Sequence, residues 1–261
     1  MGLLLDKNAV IYGAGGAIGG AVARAFAREG AKVFLAGRTL AKLDAVANEI
    51  VATGGVAETA QVDALDEQAV GQHVDGVAAK TGRIDVLFDA IGMEDVQGTP
   101  LLEMSLRDFL HPIAVAASTQ FLTARAVGRR MVEKGSGVIL TLIAGPPEAL
   151  PYLGGFGPAC EAIQGLWRGL AAELSPRGVR LICLRSAGSP DTPDVQETFR
   201  RHAKAAGVTP ERFLADAGSG ALLRRLPMVA EVANVAAMLA SDRASAMTGT
   251  FVNVTCGSRA D

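Results

Sequence analysis

Residues 9–20 read Ala-Val-Ile-Tyr-Gly-Ala-Gly-Gly-Ala-Ile-Gly-Gly, and this stretch decides the fold. The β-rich run at 9–12 leads directly into the glycine cluster, and good helix formers follow at 21–28. Glycine permits a tight turn and a close approach of the backbone to a ligand, and a helix N-terminus favours phosphate groups. The stretch therefore predicts a strand, a pyrophosphate-binding turn and a helix. A tight turn that binds no ligand is the alternative.

Outward from this unit, short β-rich runs alternate with longer helical ones. The predicted strands are 9–12, 32–36, 56–62, 84–88, 137–142, 179–184 and 250–254. Several of them are apolar on both faces, as strands are when helices cover each side of a parallel sheet. We expect an α/β fold, a Rossmann-type doubly wound sheet of seven parallel strands with helices on both faces. The regular alternation predicts a single dinucleotide-binding domain over residues 1–261.

The segment 189–226 departs from this alternation. Prolines at 190, 193 and 210 break it around two short helical patterns, 195–206 and 210–217. Ligands of open α/β folds bind at the carboxyl ends of the strands, so we interpret the segment as an excursion on the substrate side of that edge. A loop without a functional role is the alternative.

Composition limits the classes of partner. The chain has 261 residues, 49% of them apolar, and a formal net charge of −2 without a dense Lys/Arg run, which disfavours nucleic acid and anionic lipid. Its three cysteines, Cys160, Cys183 and Cys256, form no CxxC pair and predict free thiols in a reducing compartment, without a metal site. No apolar run approaches the length of a membrane span. We expect a cytoplasmic protein whose partner is a small molecule.

Arg38 ends the second predicted strand, where NAD-preferring folds place an acidic residue against the ribose 2′-hydroxyl. The stretch 36–39, Ala-Gly-Arg-Thr, has no carboxylate to repel a 2′-phosphate, and its guanidinium can pair with one. The sequence therefore predicts NADP(H) rather than NAD(H). The alternative is a solvated surface arginine.

These features and several later motifs resemble the short-chain dehydrogenase/reductase family over essentially the whole chain. The glycine cluster is similar to the family's Thr-Gly-x-x-x-Gly-Ile-Gly loop, with Tyr12 for Thr and Ala17 for one Gly. The stretch 89–92, Asp-Ala-Ile-Gly, resembles the family's Asn-Asn-Ala-Gly motif. Residues 186–188 occupy the position of its Pro-Gly motif, and residues 231–249 match its C-terminal helix and last strand. The resemblance implies that the cofactor contacts come from Gly13, Gly15, Gly16, Ile18, Gly19, Arg38, Asp63 and Ala90.

The family's usual active site is an Asn-Ser-Tyr-Lys tetrad, in which Tyr exchanges the substrate proton and Lys lowers its pKa. The resemblance places these four positions at Ala116, at Ile143 or the adjacent Ala144, at Phe156 and at Cys160. A positioned general acid contributes roughly 10²–10⁴-fold in rate. We therefore expect ordinary carbonyl reduction to be badly impaired. Cys160 as a nucleophile is one reading, and a small apolar filler is the other.

Other side chains near the expected cleft could replace the missing proton donor. Tyr152 is the tentative catalytic residue, because its hydroxyl lies in a glycine-rich segment four residues before Phe156; a packing tyrosine is the alternative. Carboxylates at 94, 95 and 148 and the imidazole of His111 are further candidates, each with a solvated surface role as the alternative. Asp89 could mimic the family's Asn. His73 and His202 lie on polar helical patterns and give no signal of a role.

Two main functions follow, and a third is weaker. The first is an NADP(H)-dependent oxidoreductase with a non-standard site that reduces an activated C=C or C=N bond. The second is a catalytically silent NADP(H)-binding or partner protein. The third is a non-redox enzyme that reuses the cleft. The resemblance also implies a homo-oligomer, a dimer or tetramer, through predicted helices at 105–133 and 158–176.

Overall fold

The computed structural model of the chain describes residues 2–145 and 150–259. Its strands are β1 (Asn8–Tyr12), β2 (Lys32–Gly37), β3 (Val56–Gln61), β4 (Val86–Asp89), β5 (Gly137–Ala144), β6 (Val179–Ser186) and β7 (Thr250–Val254). All of these strands pair in parallel, in the order β3-β2-β1-β4-β5-β6-β7. The predicted Rossmann-type sheet is confirmed. β4 begins two residues later than expected, and β5 and β6 each end two residues later.

The described helices are α1 (Ala17–Arg28), α2 (Leu40–Ala52), α3 (Glu67–Thr81), α4 (Leu106–Lys134), α5 (Phe156–Leu174), α6 (Pro193–Ala205), α7 (Pro210–Gly220) and α8 (Val229–Ala240). α1, α2 and α8 pack on one face of the sheet, and α3, α4 and α5 pack on the other. Successive side chains of β1 enter the two cores alternately, with Ile11 in one and Tyr12 in the other. Both faces of the strands are thereby buried. Within the described residues, no helix combines the length and the apolar character needed to cross a bilayer.

The order in which strands are added to the sheet reverses between β1 and β4. β1 continues through α1 to β2 on one side, whereas β4 continues through α4 to β5 on the other. The carboxyl ends of these two neighbouring strands flank a crevice, which is where open α/β sheets bind their ligands. The described turns after β1, β2, β4 and β5 therefore surround the candidate site.

Candidate functional site

The turn after β1 is built for a close approach of backbone groups. Gly13 has a φ of +74°, and a Cβ there would clash with the carbonyl oxygen of Ala90 after β4. A Cβ at Gly19 would likewise clash with the carbonyl of Gly13, so α1 can pack directly on the turn. A Cβ at Gly15 would lie 3.0 Å from Cβ of Lys42. Gly13 and Gly19 therefore require glycine for steric reasons, whereas a side chain at position 15 would require Lys42 to shift slightly.

The N-terminus of α1 presents backbone donors. Gly16 precedes Ala17 with extended geometry, no side chain caps the helix, and its first turn holds no acidic residue. Ile18 is half-buried and packs against the core. Uncapped N–H groups and the helix dipole together favour an anion. The expected cofactor residues Gly13, Gly16, Ile18 and Gly19 thus form a cradle that fits a pyrophosphate, as in a nicotinamide dinucleotide.

Arg38 follows β2 and is mostly exposed, but its guanidinium forms an ion pair. Its Nη2 donates to Oε1 of Glu94, which lies beyond β4. The hydrogen bond to Glu94 and the charge of Glu94 raise the pKa of Arg38, and the nearby carboxylate of Asp63 acts in the same direction. Nε2 of His111 lies 3.8 Å from Glu94 Oε2. The structure therefore brings Arg38, Asp63, Glu94 and His111 together at one end of the crevice.

The ion pair of Arg38 and Glu94 crosses the crevice. β1 lies between β2 and β4, so the pair connects segments on either side of the turn that begins at Gly13. Asp63 accepts a hydrogen bond from the Leu65 N–H at 3.0 Å through Oδ1. The sequence offered a 2′-phosphate or solvent as the partner of the Arg38 guanidinium. In the structure the carboxylate of Glu94 pairs with it, a contact that the sequence did not predict.

Asp89 ends β4 and is completely buried beneath the same turns. Burial raises the pKa of its carboxyl to about 6, although hydrogen bonds from Thr123 Oγ1 (2.6 Å) and the Ile91 N–H (3.2 Å) oppose the rise. The neighbouring Ala90 N–H donates to the Tyr12 carbonyl at 3.0 Å. Asp89 therefore supports the backbone here, as the resemblance implied for an Asn.

The four positions assigned to the tetrad meet in one apolar cluster. Ala116 of α4, Ile143 of β5 and Cys160 of α5 are buried in it, and the partly buried Phe156 packs against it. Burial raises the pKa of the Cys160 thiol to about 11, so the thiol stays protonated at neutral pH. This geometry fits an apolar filler better than a nucleophile. Of these four side chains only the Cys160 thiol carries an exchangeable proton, and its raised pKa makes it a weak acid.

Tyr152 lies in the turn before α5 with a φ of +66°, and its carbonyl accepts a hydrogen bond from the Gly98 N–H at 2.9 Å. Its side chain is half-buried. The next glycines pack tightly, since a Cβ at Gly154 would clash with the Val96 carbonyl and one at Gly155 with the Phe109 carbonyl. The glycine-rich segment that contains Tyr152 is therefore closely packed. Glu148 lies outside the described residues.

Two histidines without a sequence signal are hydrogen-bonded; His202 is buried and His73 is half-buried. Nδ1 of His73 lies 3.0 Å from the Tyr12 hydroxyl, and burial lowers the pKa of His73 to about 4. Nε2 of His202 lies 2.7 Å from Gln97 Oε1, and Gln97 Nε2 donates to Asp95 Oδ2 at 2.6 Å. The sequence placed both histidines on polar helical patterns without a role, and it did not predict these hydrogen bonds. The spacing of Phe199 and His202, three residues apart on one helix face, was the available signal for His202.

Comparisons with known proteins agree with this architecture. A family sequence model described as Enoyl-(Acyl carrier protein) reductase matches residues 13–259. The chain is 31% identical over 249 residues to an uncharacterized oxidoreductase, YxbG, of Bacillus subtilis, covering 95% of this chain and 89% of that protein. It is 30% identical over 244 residues to D-threitol dehydrogenase of Mycolicibacterium smegmatis, covering 93% and 89%.

Solved structures extend the agreement to three dimensions. Sorbitol-6-phosphate 2-dehydrogenase SrlD from Erwinia amylovora superposes with a TM-score of 0.90 at 26% identity, covering 97% of this chain and all of that one. NAD+-bound xylitol dehydrogenase has the same fold, with a TM-score of 0.92 at 24% identity and coverage of 97% and 99%. The match to the family model, the relatives and the Rossmann-type sheet together confirm the resemblance. The chain belongs to the short-chain dehydrogenase/reductase family and is an oxidoreductase of that family.

Proposed function

We propose that this protein is an NADP(H)-dependent oxidoreductase that works without the Asn-Ser-Tyr-Lys tetrad and reduces an activated C=C or C=N bond. The observation that carries the proposal is the apolar cluster at the start of α5. Phe156 and Cys160 stand there one helical turn apart, and buried Ala116 and Ile143 belong to the same cluster. An apolar pocket stabilises a developing alkoxide poorly. Activated C=C and C=N bonds concentrate less negative charge on oxygen during reduction.

Arg38 and the turn after β1 support a phosphorylated dinucleotide. The turn offers uncapped helix N–H groups for a pyrophosphate, and Arg38 offers a guanidinium for a 2′-phosphate. When bound, the nicotinamide supplies or accepts a hydride. We assign cofactor contacts to Gly13, Gly15, Gly16, Ile18, Gly19, Arg38, Asp63 and Ala90, and we propose Tyr152 as the proton donor.

The rest of the chain fits one dinucleotide-binding domain. α6 and α7 account for the helical patterns expected within 189–226, and we propose that this excursion covers the substrate. Buried His202 of α6 bonds to Gln97 of the turn that follows β4, which supports its placement beside the cleft. We propose a cytoplasmic protein.

Calorimetric titration tests the cofactor, and an assay tests the chemistry. We expect NADPH to bind more tightly than NADH, and NADPH to be consumed with at least one enone or imine from a panel. Equal affinity would contradict the role of Arg38. Absence of turnover at saturating NADPH across the panel would contradict the oxidoreductase proposal.

A catalytically silent, cofactor-binding subunit is the second candidate. An exposed apolar face on α4 favours it, formed by Leu106, Leu110 and Phe121. Such a face suits packing of α4 and α5 against another subunit, in a homo-oligomer or beside an active relative. Binding of NADPH without turnover, together with co-purification of an active relative, would support this candidate. A homo-oligomer that turns over substrate would exclude it.

A further inference from the structure

The turn after β4 is held from two sides. The Gly98 N–H donates to the Tyr152 carbonyl, and Gly98 has a φ of +88°. A Cβ at Gly98 would lie 3.2 Å from the Arg201 carbonyl of α6, so this turn and α6 are in close contact. On the other side, Val96 packs against Gly154. Residues 95–98 are therefore fixed between the excursion and the segment that precedes α5.

A chain of hydrogen bonds runs through this turn to a carboxylate. Because the Gln97 amide nitrogen donates to Asp95 Oδ2 (2.6 Å), the amide oxygen faces His202 Nε2 (2.7 Å), which must therefore carry the hydrogen. His202 is only 4% exposed and stacks on Phe213 at a centroid distance of 5.7 Å. Burial lowers the pKa of His202, which keeps the ring neutral. The donors of the chain all point toward Asp95, whose Oδ2 accepts the last hydrogen bond.

Asp95 lies between α5 and α6. Its charge acts on His202 of α6 and also on Cys160 of α5, where the resemblance places the family's Lys. The second charged group that acts on Cys160 is Glu161, another carboxylate. Asp95 itself is half-buried and is therefore partly accessible. This end of the cleft is therefore negative where a tetrad enzyme would be positive.

We propose that Asp95, positioned by Gln97 and His202, is the substrate-recognition carboxylate of this cleft, and that its ligand is a cationic nitrogen, an iminium that is reduced to an amine. The inference rests on the proposed oxidoreductase function and narrows its substrate to the C=N class. Asp95 binds the charge, whereas Gln97 and His202 act through Asp95 and are positioning residues.

The chemistry fits the apolar cluster. The imine nitrogen takes a proton from water, and a nearby carboxylate raises the pKa of the resulting iminium and so its population. A bound NADPH would supply the hydride from one of its own C–H bonds. A C–H bond would then form at the iminium carbon and the π electron pair would move to nitrogen, which leaves a neutral amine and an oxidised nicotinamide. No oxyanion develops, so neither a tyrosine nor a lysine is needed. A ketone at the same place would develop an alkoxide beside Asp95, which like-charge repulsion disfavours.

Ligand binding tests the assignment independently of turnover. The probes are 2-phenylpyrrolidine, which is an ammonium ion at neutral pH, and its uncharged isostere 2-phenyltetrahydrofuran, each titrated calorimetrically into the full chain with NADP+ present. We expect the ammonium to bind at least about 10-fold more tightly than the ether. Asp95→Asn should lose about 10- to 100-fold of the ammonium affinity, as expected for a hydrogen bond to a charged group, with ether binding unchanged. Asp194→Asn, which removes an exposed carboxylate from α6, should leave both affinities unchanged.

His202→Phe tests the positioning role, because it keeps an aromatic ring on Phe213 and removes the donor to Gln97. We expect a loss of about 3- to 10-fold in the preference for ammonium over ether, with the affinity for the ether retained. A merely structural role would weaken both ligands equally, and that result would contradict the positioning role.

Two further outcomes separate this inference from the proposed function. Equal binding of ammonium and ether, or an Asp95→Asn variant that keeps the preference, would overturn the inference even if NADPH reduces an enone. A strong ammonium preference without reduction of 2-phenyl-1-pyrroline or of any enone or imine of the panel by NADPH would support the recognition role of Asp95 and contradict the oxidoreductase proposal.

Discussion

Asp89 is a buried acid whose pKa, about 6, lies above its ordinary value of 3.8. Between these two values the unfolded chain has released this proton while the folded protein keeps it. The contribution of the protonated Asp89 carboxyl to the free energy of unfolding is therefore complete below about pH 4. It falls as the pH rises and is lost above about pH 6. The difference between the two pKa values corresponds to roughly 3 kcal/mol.

We predict that Asp89→Asn stabilises the protein at pH 8 by up to about 3 kcal/mol, because an amide avoids the buried charge. Its oxygen can still accept from the Ile91 N–H and its nitrogen can donate to Thr123 Oγ1. Urea unfolding of both proteins at pH 4 and pH 8 measures the effect. The advantage of the variant should shrink toward pH 4. An advantage that is equal at both pH values would contradict this explanation.

Arg38 and Glu94 give the second prediction. If Arg38 binds a 2′-phosphate, Arg38→Ala should weaken NADPH about 10- to 100-fold, the range expected for a charge-assisted hydrogen bond, and leave NADH nearly unchanged. Glu94→Gln removes the competing partner of Arg38 and should tighten NADPH by no more than about 5-fold, because exposed ion pairs contribute at most about 1 kcal/mol. Calorimetry with both cofactors measures the two effects. Equal losses for NADPH and NADH in Arg38→Ala would refute the 2′-phosphate contact.

Phe156 and Cys160 give the third prediction. The double variant Phe156→Tyr/Cys160→Lys should not gain ordinary ketone reductase activity, measured as NADPH oxidation with a panel of simple ketones. Ala116 and Ile143 would remain apolar, so no polar side chain at these two positions would orient the ketone or relay its proton. A rise of 100-fold or more in kcat/KM would show that the other two positions are dispensable.

At the residue scale, the sequence predicted the roles of single side chains better than it predicted contacts between residues that are far apart in the chain. Arg38 was recognised from its distance to the glycine cluster, but its pairing with Glu94 joins residues 56 positions apart. The bond between Gln97 and His202 spans 105 positions and has no local signature beyond a helical apolar stripe. Such long-range partners depend on the complete fold and could not be predicted from the sequence.

At the scale of the element, the sequence was more informative. Strands and helices were predicted because apolar runs and helical periodicity are local, and α5 begins at Phe156, two residues before the predicted start at 158. The boundaries were less accurate at β5 and β6, which continue because Ile143 and Ala144 still pair with Arg185 and Ser186. Hydrogen bonding to a neighbouring strand, rather than propensity, decides where these strands end.

Gly155 gives a prediction about the junction of α4 and α5. A Cβ at Gly155 would overlap the Phe109 carbonyl and approach Pro112 Cγ at 2.8 Å, so Gly155→Ala should destabilise the protein by about 1–3 kcal/mol. The matched control is Gly157→Ala, where a new Cβ would meet only Leu153, at 3.7 Å. It should change the free energy of unfolding by no more than about 1 kcal/mol. Thermal or urea unfolding distinguishes the two, and equal effects would contradict the packing argument.

At the scale of the whole molecule, the exposed apolar face of α4 predicts association. Phe121→Lys should shift a dimer or tetramer toward smaller species, because a charge replaces a large apolar side chain on the proposed interface. Sedimentation velocity at several concentrations measures the change. Leu65→Lys, at an exposed position beyond β3, is the control and should leave the assembly unchanged. If both variants sediment like the parent, α4 is not an interface.

The order of the strands has a consequence for how the chain assembles during synthesis. β1, β2 and β3 are neighbours in the sheet and lie within the first 61 residues. The later strands β4, β5, β6 and β7 follow on the other side of β1, each next to the strand that precedes it in the sheet order. The cradle for the phosphates is complete once β4 emerges, well before α5 and α6 exist. Domains fold as the chain leaves the ribosome. We therefore expect a nascent chain of about 90 residues to gain stability by binding the nucleotide before the substrate cleft has formed. The cofactor would then act first as a folding ligand.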